Sequence, residues 1–361
     1  MTRPGERALT KLPTLESRRA ELETCAFCPK LCRTKCPVSN AEPREALIPW
    51  GKMTATYQAA LGDEPMTADA AALAWACTGC LACREACDHG NPVAQTLGDA
   101  RAAYAAAGLA PESLAGLTRA LASDDASEPR VRGDGHGPLL LVGCGYAKKL
   151  PDVAAQGEAV ARAVLGDRGG SLRVIDGCCG LSFALAGDRE GAVRARAALA
   201  RARGSAPLVV MDPGCALALR EAGVEHELLI DLAARTLPTF AYGGAQDARG
   251  AVYHDPCALG RGLGRYDEPR RLLAHVLGEP AEEFAEARER AVCSGAGGLL
   301  PRTMPEVSAR IGAARAAAAG DRPIVTACAS SLRRFRRDEK NAFDLFELLA
   351  RALTRRDSEA T

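Results

Sequence analysis

Eight of the fifteen cysteines stand in two tight runs. Cys25, Cys28, Cys32 and Cys36 read C-x2-C-x3-C-x3-C and are followed by Pro37; Cys77, Cys80, Cys83 and Cys87 read C-x2-C-x2-C-x3-C and are followed by Asp88. Thiolates are soft ligands for iron, and a short loop carrying three of them wraps three corners of one [4Fe-4S] cube. The fourth thiolate, three residues further on, does not easily reach the same cube and serves a neighbouring one. The spacing therefore predicts two cubes with crossed fourth ligands: Cys25, Cys28, Cys32 and Cys87 on one, and Cys77, Cys80, Cys83 and Cys36 on the other. Tetrahedral zinc is the competing chemistry for C-x2-C pairs. Cysteines packed this densely, twice over, favour cubes.

The other seven cysteines are Cys144, Cys178, Cys179, Cys215, Cys257, Cys293 and Cys328. Each is read as sitting just past a strand, and the apolar runs that read as strands are Pro138 to Val142, Leu172 to Ile175, Pro207 to Met211, Ala251 to His254 and Pro323 to Thr326. Ala/Arg/Glu-rich stretches that read as helices, such as Val153 to Leu165 and Arg189 to Arg203, lie between these runs. Strand–helix alternation of this kind argues for an α/β unit with a parallel sheet. The spacing recurs. Cys144 to Cys178 is 34 positions and Cys257 to Cys293 is 36; Cys179 to Asp212 is 33 and Ser294 to Cys328 is 34. Two halves with matched spacing imply a duplicated domain. A thiol just past a strand lies at the carboxyl edge of a parallel sheet, where α/β proteins hold ligands.

The elements that must carry the first eight cysteines look different. Between Cys36 and Cys77 the chain reads as helical, over Met53 to Leu61 and Asp69 to Trp75, with Asp69 as a candidate cap. Thr96 to Ala107 reads as a closing helix. The second cysteine run matches the bacterial ferredoxin pattern without its closing proline, and the first departs by one residue at its middle gap. The expected fold is therefore α+β overall: a helical two-cluster ferredoxin-like domain followed by two duplicated α/β domains. The expected divisions are a flexible arm over 1–20, the cluster domain over 21–110, a linker with one short helix at most over 111–137, the repeats over 138–245 and 246–350, and a frayed tail over 351–361.

Composition narrows the function. The chain has 361 residues, 46 Lys+Arg against 45 Asp+Glu, and no basic stripe, which argues against nucleic acid. It shows no apolar run of membrane-spanning length, and its charged beginning does not read as an export signal. A reducing, cytoplasmic setting is expected, with peripheral attachment at the inner face of the plasma membrane as an extension of it. There is no phosphate-binding loop. The glycines of Gly143-Cys144-Gly145 and Gly260 to Arg265 do not make a dinucleotide fingerprint. A flavin or nicotinamide donor would therefore be bound by a partner.

The segment Tyr253-His254-Asp255-Pro256-Cys257-Ala258-Leu259-Gly260-Arg261, then Tyr266, Glu268-Pro269-Arg270 and Cys293-Ser294-Gly295-Ala296-Gly297-Gly298, closely resembles the D-type subunit of heterodisulfide reductase. It is similar also to the iron–sulfur subunits of glycolate, lactate and anaerobic glycerol-3-phosphate dehydrogenases. Each half resembles a cysteine-rich or CCG domain, and the resemblance covers roughly residues 20–340. It implies electron transfer from the ferredoxin-type clusters to CCG-bound centres or to quinone. In heterodisulfide reductases proper, complete five-cysteine CCG motifs hold non-cubane clusters that cleave a disulfide. This chain departs from that pattern. Asp212 stands in place of one cysteine in the first half, and Ser294 and Ser331 replace two in the second. Cys144, Cys178, Cys179 and Cys215 suffice for a third iron–sulfur centre or a zinc ion, while Cys257, Cys293 and Cys328 make a poorer site. Asp212 is read as a helix cap rather than a ligand, and His254 as a hydrogen-bonded histidine rather than a ligand.

The leading expectation is an iron–sulfur electron-transfer subunit that is not catalytic alone, with no catalytic residue identifiable. Its partners would be a flavoprotein dehydrogenase or electron-transfer flavoprotein, a quinone-reactive membrane subunit, or both. The alternatives are a disulfide-cleaving reductase at the first CCG site and a zinc-bearing scaffold.

Overall fold

The computed structural model of the chain describes residues 7–30, 32–125, 129–338 and 340–359. They fall into two compact units that are discontinuous in sequence. One takes the chain up to Asp124 together with Ser182–Ala192 and Val292–Ala314; the other takes Asp125–Leu181, Val193–Ala291 and the chain from Arg315 on.

The first unit is helical. Helices Arg19–Ala26, Pro49–Leu61, Ala68–Trp75 and Val93–Ala106 close on a core that includes Leu22, Met53, Trp75, Leu97 and Tyr104. Pro49 opens its helix where a missing N–H costs nothing, and Gly62, at φ +84°, ends it with its N–H on the Gln58 and Ala59 carbonyls. The cap of the next helix is Thr67, whose hydroxyl accepts from Ala70 N at 3.1 Å, and not Asp69, which lies in the first turn. The arm expected to be flexible over residues 1–20 is packed from Leu9 on. Leu9, Leu12 and Leu15 are buried in the helical core ahead of and within the 3-10 turn Pro13–Arg18. Three buried leucines, at roughly 2 kcal/mol each, outweigh the charge around them. Residues 1–6 lie outside the described residues.

Among the described residues the second unit carries nine strands: β1 Arg130–Arg132, β2 Leu139–Leu141, β3 Arg173–Asp176, β4 Leu208–Val210, β5 Glu227–Leu228, β6 Val252–Tyr253, β7 Glu282–Glu283, β8 Ile324–Thr326 and β9 Ala342–Asp344. They form two sheets, ordered β1-β3-β2-β4-β5 and β7-β6-β8-β9. Their pairings are parallel except that of β1 with β3. The five apolar runs read from sequence are β2, β3, β4, β6 and β8, the inner strands of the two sheets. One continuous core joins both sheets, from Leu139 to Ala352.

Two expectations are corrected here. The segment expected as a linker holds the helix Ala115–Asp125 and the edge strand β1, whose three residues are all exposed and so carry no apolar signal. The tail from 351 continues the helix Leu345–Glu359, anchored by the fully buried Phe346, Leu349 and Ala352; residues 360–361 lie outside the described residues.

Asp344, at the end of β9, is fully buried and accepts from Tyr146 Oη at 2.7 Å and from Phe346 N at 3.0 Å. Burial pushes its carboxyl up to about 7. An acid with a raised folded pKa stabilises the fold while protonated. That stability is complete below the unfolded value of about 4 and is lost as pH rises through the folded one. Urea unfolding of wild type and Asp344→Asn between pH 4 and 8 should therefore show wild type losing a few kcal/mol relative to the variant, on the order of 1.4 kcal/mol for each tenfold change in the acid's dissociation constant. Parallel pH profiles would contradict this.

Candidate iron–sulfur sites

Helix ends and tight turns supply the eight cassette cysteines. Cys25 lies in the last turn of Arg19–Ala26, and Cys36 immediately precedes the helix Pro37–Ala41. Cys77 and Cys80 follow Ala68–Trp75, Cys83 sits within the turn Ala82–Glu85, and Cys87 lies just beyond it. Each loop is bent back by a left-handed residue that is not glycine: Lys30 at φ +69° and Leu81 at φ +63°. Such a conformation costs roughly 1–2 kcal/mol and persists where surrounding structure demands it, typically at a working site.

The eight thiols line two pockets. Cys25, Cys28, Cys32 and Cys87 line the first, and Cys36, Cys77 and Cys80 the second; Cys83 borders both. N–H groups point at the sulfurs. Asn91 Nδ2 donates to Cys25 Sγ at 3.1 Å, Gly79 N to Cys77 Sγ at 3.4 Å, and Lys52 Nζ to Cys36 Sγ at 3.5 Å. Burial, reinforced by neighbouring thiols, pushes Cys25 up to about 12, and burial pushes Cys32 up to about 11. Cys77 and Cys83 are raised by burial as well. A thiol so placed keeps its proton until a cation stabilises the thiolate, which is what iron does. Convergent thiols with donors aimed at sulfur fit an iron–sulfur group. Among the described residues, no three or more Cys, His, Asp or Glu side chains gather as closely as one bound metal ion requires.

In the second unit six of the seven remaining thiols sit past strand ends; Cys293, expected there too, follows the turn Arg288–Arg290 instead and lies in the first unit. In the first sheet the connections leaving β2 and β4 run in opposite directions, so the gap between these neighbours is a topological switch point. Cys144 follows β2 and Cys215 follows β4 at that gap, with Cys178 and Cys179 past β3. Cys179 Sγ and Cys215 Sγ are 3.1 Å apart and buried, whereas Cys144 is exposed. The hydrogen bond between the two sulfurs holds the Cys179 thiol below its ordinary value, and the same bond raises Cys215. Asp212 is the N-cap of the helix Pro213–Glu221, its Oδ1 accepting from Gly214 N at 2.8 Å and Cys215 N at 3.1 Å.

The second sheet repeats the device between β6 and β8, with Cys257 past β6 and Cys328 past β8. Ser331 donates to Cys328 through both its backbone N–H and its hydroxyl. Cys293 belongs to the other compact unit, where it accepts from Gly295 N at 3.3 Å. His254 is buried, edge-on to Phe284 and Phe335, and its Nδ1 accepts from Arg315 Nε at 3.4 Å. Burial and the nearby Arg315 and Arg261 hold it neutral, well below the usual histidine range.

Three residues around the cassette carry no sequence signal of their role: Lys52, Asn91 and Arg101. Arg101 is almost fully buried, and its guanidinium donates to the carbonyls of Ala74, Cys77, Leu185 and Gly298. Gly297 and Gly298 leave no room for a Cβ, which would lie 2.4 Å from Thr78 O and 2.1 Å from Cys77 O respectively. A run of glycines is ambiguous in sequence, and only the packing shows what these admit.

The 4Fe-4S dicluster domain family matches residues 21–91, and the cysteine-rich domain family matches residues 139–220 and again 251–333. The chain is a cysteine-rich-domain iron–sulfur protein. Within that class it is similar to the D-type subunit of heterodisulfide reductase. The D-type subunit of dihydromethanophenazine:CoB–CoM heterodisulfide reductase from Methanosarcina mazei is 34% identical over 111 residues, 28% of this chain and 27% of that protein. The B-type subunit of fumarate reductase (CoM/CoB) from Methanothermobacter marburgensis is 30% identical over 193 residues, 49% of this chain and 36% of that protein. The matches thus span well under half of these curated relatives. No solved structure matches the chain significantly.

Because the buried thiols are raised, assembling iron and sulfide on the apo-protein at pH 7 should release protons, and acidification should release iron. Calorimetric titration in buffers of different ionisation heat measures the protons; a buffer-independent enthalpy would contradict the expectation.

Proposed function

We propose that this chain is the electron-relay subunit of a multi-subunit oxidoreductase. It passes single electrons between a flavoprotein dehydrogenase or electron-transfer flavoprotein and a terminal acceptor, a membrane quinone or a disulfide. The observation that carries this reading is the contrast between the two sets of cysteines. The cassette keeps all eight thiols, gathered at two pockets, while the repeats lack three of the ten that two complete motifs would supply.

In this reading Cys25, Cys28, Cys32 and Cys87 hold one [4Fe-4S] cluster, and Cys77, Cys80, Cys83 and Cys36 hold the other. When bound, the clusters supply one-electron reduction and oxidation. The chain's own residues exclude water, donate hydrogen bonds to sulfur and set the spacing. Cys144, Cys178, Cys179 and Cys215 are the proposed ligands of a third centre, iron–sulfur or zinc. At the second repeat Cys257 and Cys328 offer fewer thiols than the first repeat does. No helix among the described residues is long and apolar enough to cross a membrane, so quinone chemistry is assigned to a partner that this chain meets at the cytoplasmic membrane face. The close Cys179–Cys215 pair favours a second reading, disulfide reduction at the first repeat.

Iron, sulfide and zinc analysis of anaerobically purified protein separates these readings. About eight irons are expected for two cubes and about twelve if the first repeat is loaded, whereas zinc would favour a scaffold. Cys36→Ser should perturb the cluster built on Cys77, Cys80 and Cys83; paramagnetic resonance showing loss of the Cys25 cluster alone would defeat the crossed assignment. Dithionite should reduce the protein, and a quinone analogue or flavoprotein should reoxidise it. Steady turnover of a heterodisulfide with a reduced dye, abolished by Cys178→Ser, would establish the second reading instead.

A further inference from the structure

The two pockets differ in the charge buried around them. The second is lined by Lys52, which is 1% exposed, and Lys52 Nζ lies 3.5 Å from Cys36 Sγ. Arg101, 3% exposed, holds the carbonyl of Cys77 at 2.7 Å, and every acceptor it uses among the described residues is a neutral backbone carbonyl. A buried cation without a carboxylate partner is strongly unfavourable unless another anion faces it. The thiolates of a cluster are that anion. The first pocket is built otherwise. Its buried donor is the neutral amide of Asn91, on Cys25. Its lysine, Lys30, has a side chain one-third exposed, lies over the Trp50 ring and reaches Glu45 at 3.5 Å. Its charge is therefore shared with a carboxylate and screened by water.

Reducing a cluster adds one negative charge. Buried cations stabilise that added charge in a low-dielectric site far more than a neutral amide or a screened lysine does, and net charge and hydrogen bonds to sulfur set cluster potentials. We infer that Lys52 and Arg101 raise the reduction potential of the cluster on Cys36, Cys77, Cys80 and Cys83 above that of its neighbour, so that electrons entering the cassette collect there. That cluster is also the one whose Cys77 backbone is packed against Gly298, five residues beyond Cys293. The Cys25 side is then the entry and the Cys77 side the exit, toward Cys293. Lys52 and Arg101 act as tuning residues. The inference rests on the ligand assignment proposed above.

The test uses the whole chain, loaded anaerobically and titrated electrochemically under paramagnetic resonance. Two one-electron steps are expected. With 15N-lysine incorporated, nitrogen hyperfine coupling should appear in the species reduced first; coupling seen only on reduction of the second species would overturn the inference. In Lys52→Met the first step should move negative, with the ratio of reduced to oxidised cluster at the wild-type midpoint falling about tenfold or more, about 59 mV for a one-electron couple. Lys52→Arg should restore it. A Lys52→Met protein with full iron and unmoved midpoints would overturn the inference, as would a shift confined to the later step. Should Lys52→Met fail to load iron, the labelled wild type decides. Failure of the ligand assignment has a separate signature: iron well below eight per chain, or Cys36→Ser leaving the Cys77 cluster intact.

Discussion

The guanidinium of Arg101 closes the first unit. Its fork of N–H groups reaches carbonyls in four stretches of chain: the end of the helix Ala68–Trp75, the loop of Cys77, the segment around Leu185 and the turn at Gly298. A planar fork with fixed donor directions suits this task, and a lysine would satisfy fewer acceptors in fewer directions. The neighbouring contacts depend on the same convergence. Trp75 Nε1 donates to Leu185 O at 3.1 Å, Thr303 Oγ1 donates to Trp75 O at 3.4 Å, and the paired glycines 297 and 298 press on the backbone of Thr78 and Cys77. The cassette is therefore not a free-standing small ferredoxin. It completes its own packing with segments taken from both repeats, and one of those segments brings Cys293 with it.

The second unit uses one device twice. Parallel strands end at a switch point, and a thiol follows each strand end there. Two of the three positions without the expected cysteine serve local structure. Asp212 satisfies two orphan N–H groups at a helix start, a contribution of about 1 kcal/mol for such a cap. Ser331 donates two hydrogen bonds to the sulfur of Cys328, which would otherwise be buried with less support. Both substitutions exchange ligand chemistry for backbone and side-chain satisfaction while leaving the turn shapes usable.

Much of this was legible in the residues. Cysteine spacing points to cluster chemistry because ligand geometry is a local property of a short loop. The apolar runs that became β2, β3, β4, β6 and β8 could be read because strands buried on both faces are nearly continuous hydrophobic stretches. The matched intervals between strand-end cysteines exposed the duplication. Asp212-Pro213 read as a helix start because capping is a matter of a few adjacent atoms, and the same locality let Asp69 mislead, two residues past the true cap at Thr67.

Tertiary structure alone decided the rest. The strands β1, β5, β7 and β9 are two or three residues long, and Glu282-Glu283 has no apolar pattern, so only pairing with a neighbour defines it. Leu9, Leu12 and Leu15 look like an ordinary charged arm until a core exists to receive them. Lys52 and Arg101 are single basic residues among 46. What sets them apart is burial beside the cysteines, a relation between residues 16 and 24 positions apart. Spacing determines which thiols can share a loop. Which charges those thiols face is a long-range property, and it depends on how distant segments pack, a property that no single stretch of sequence contains.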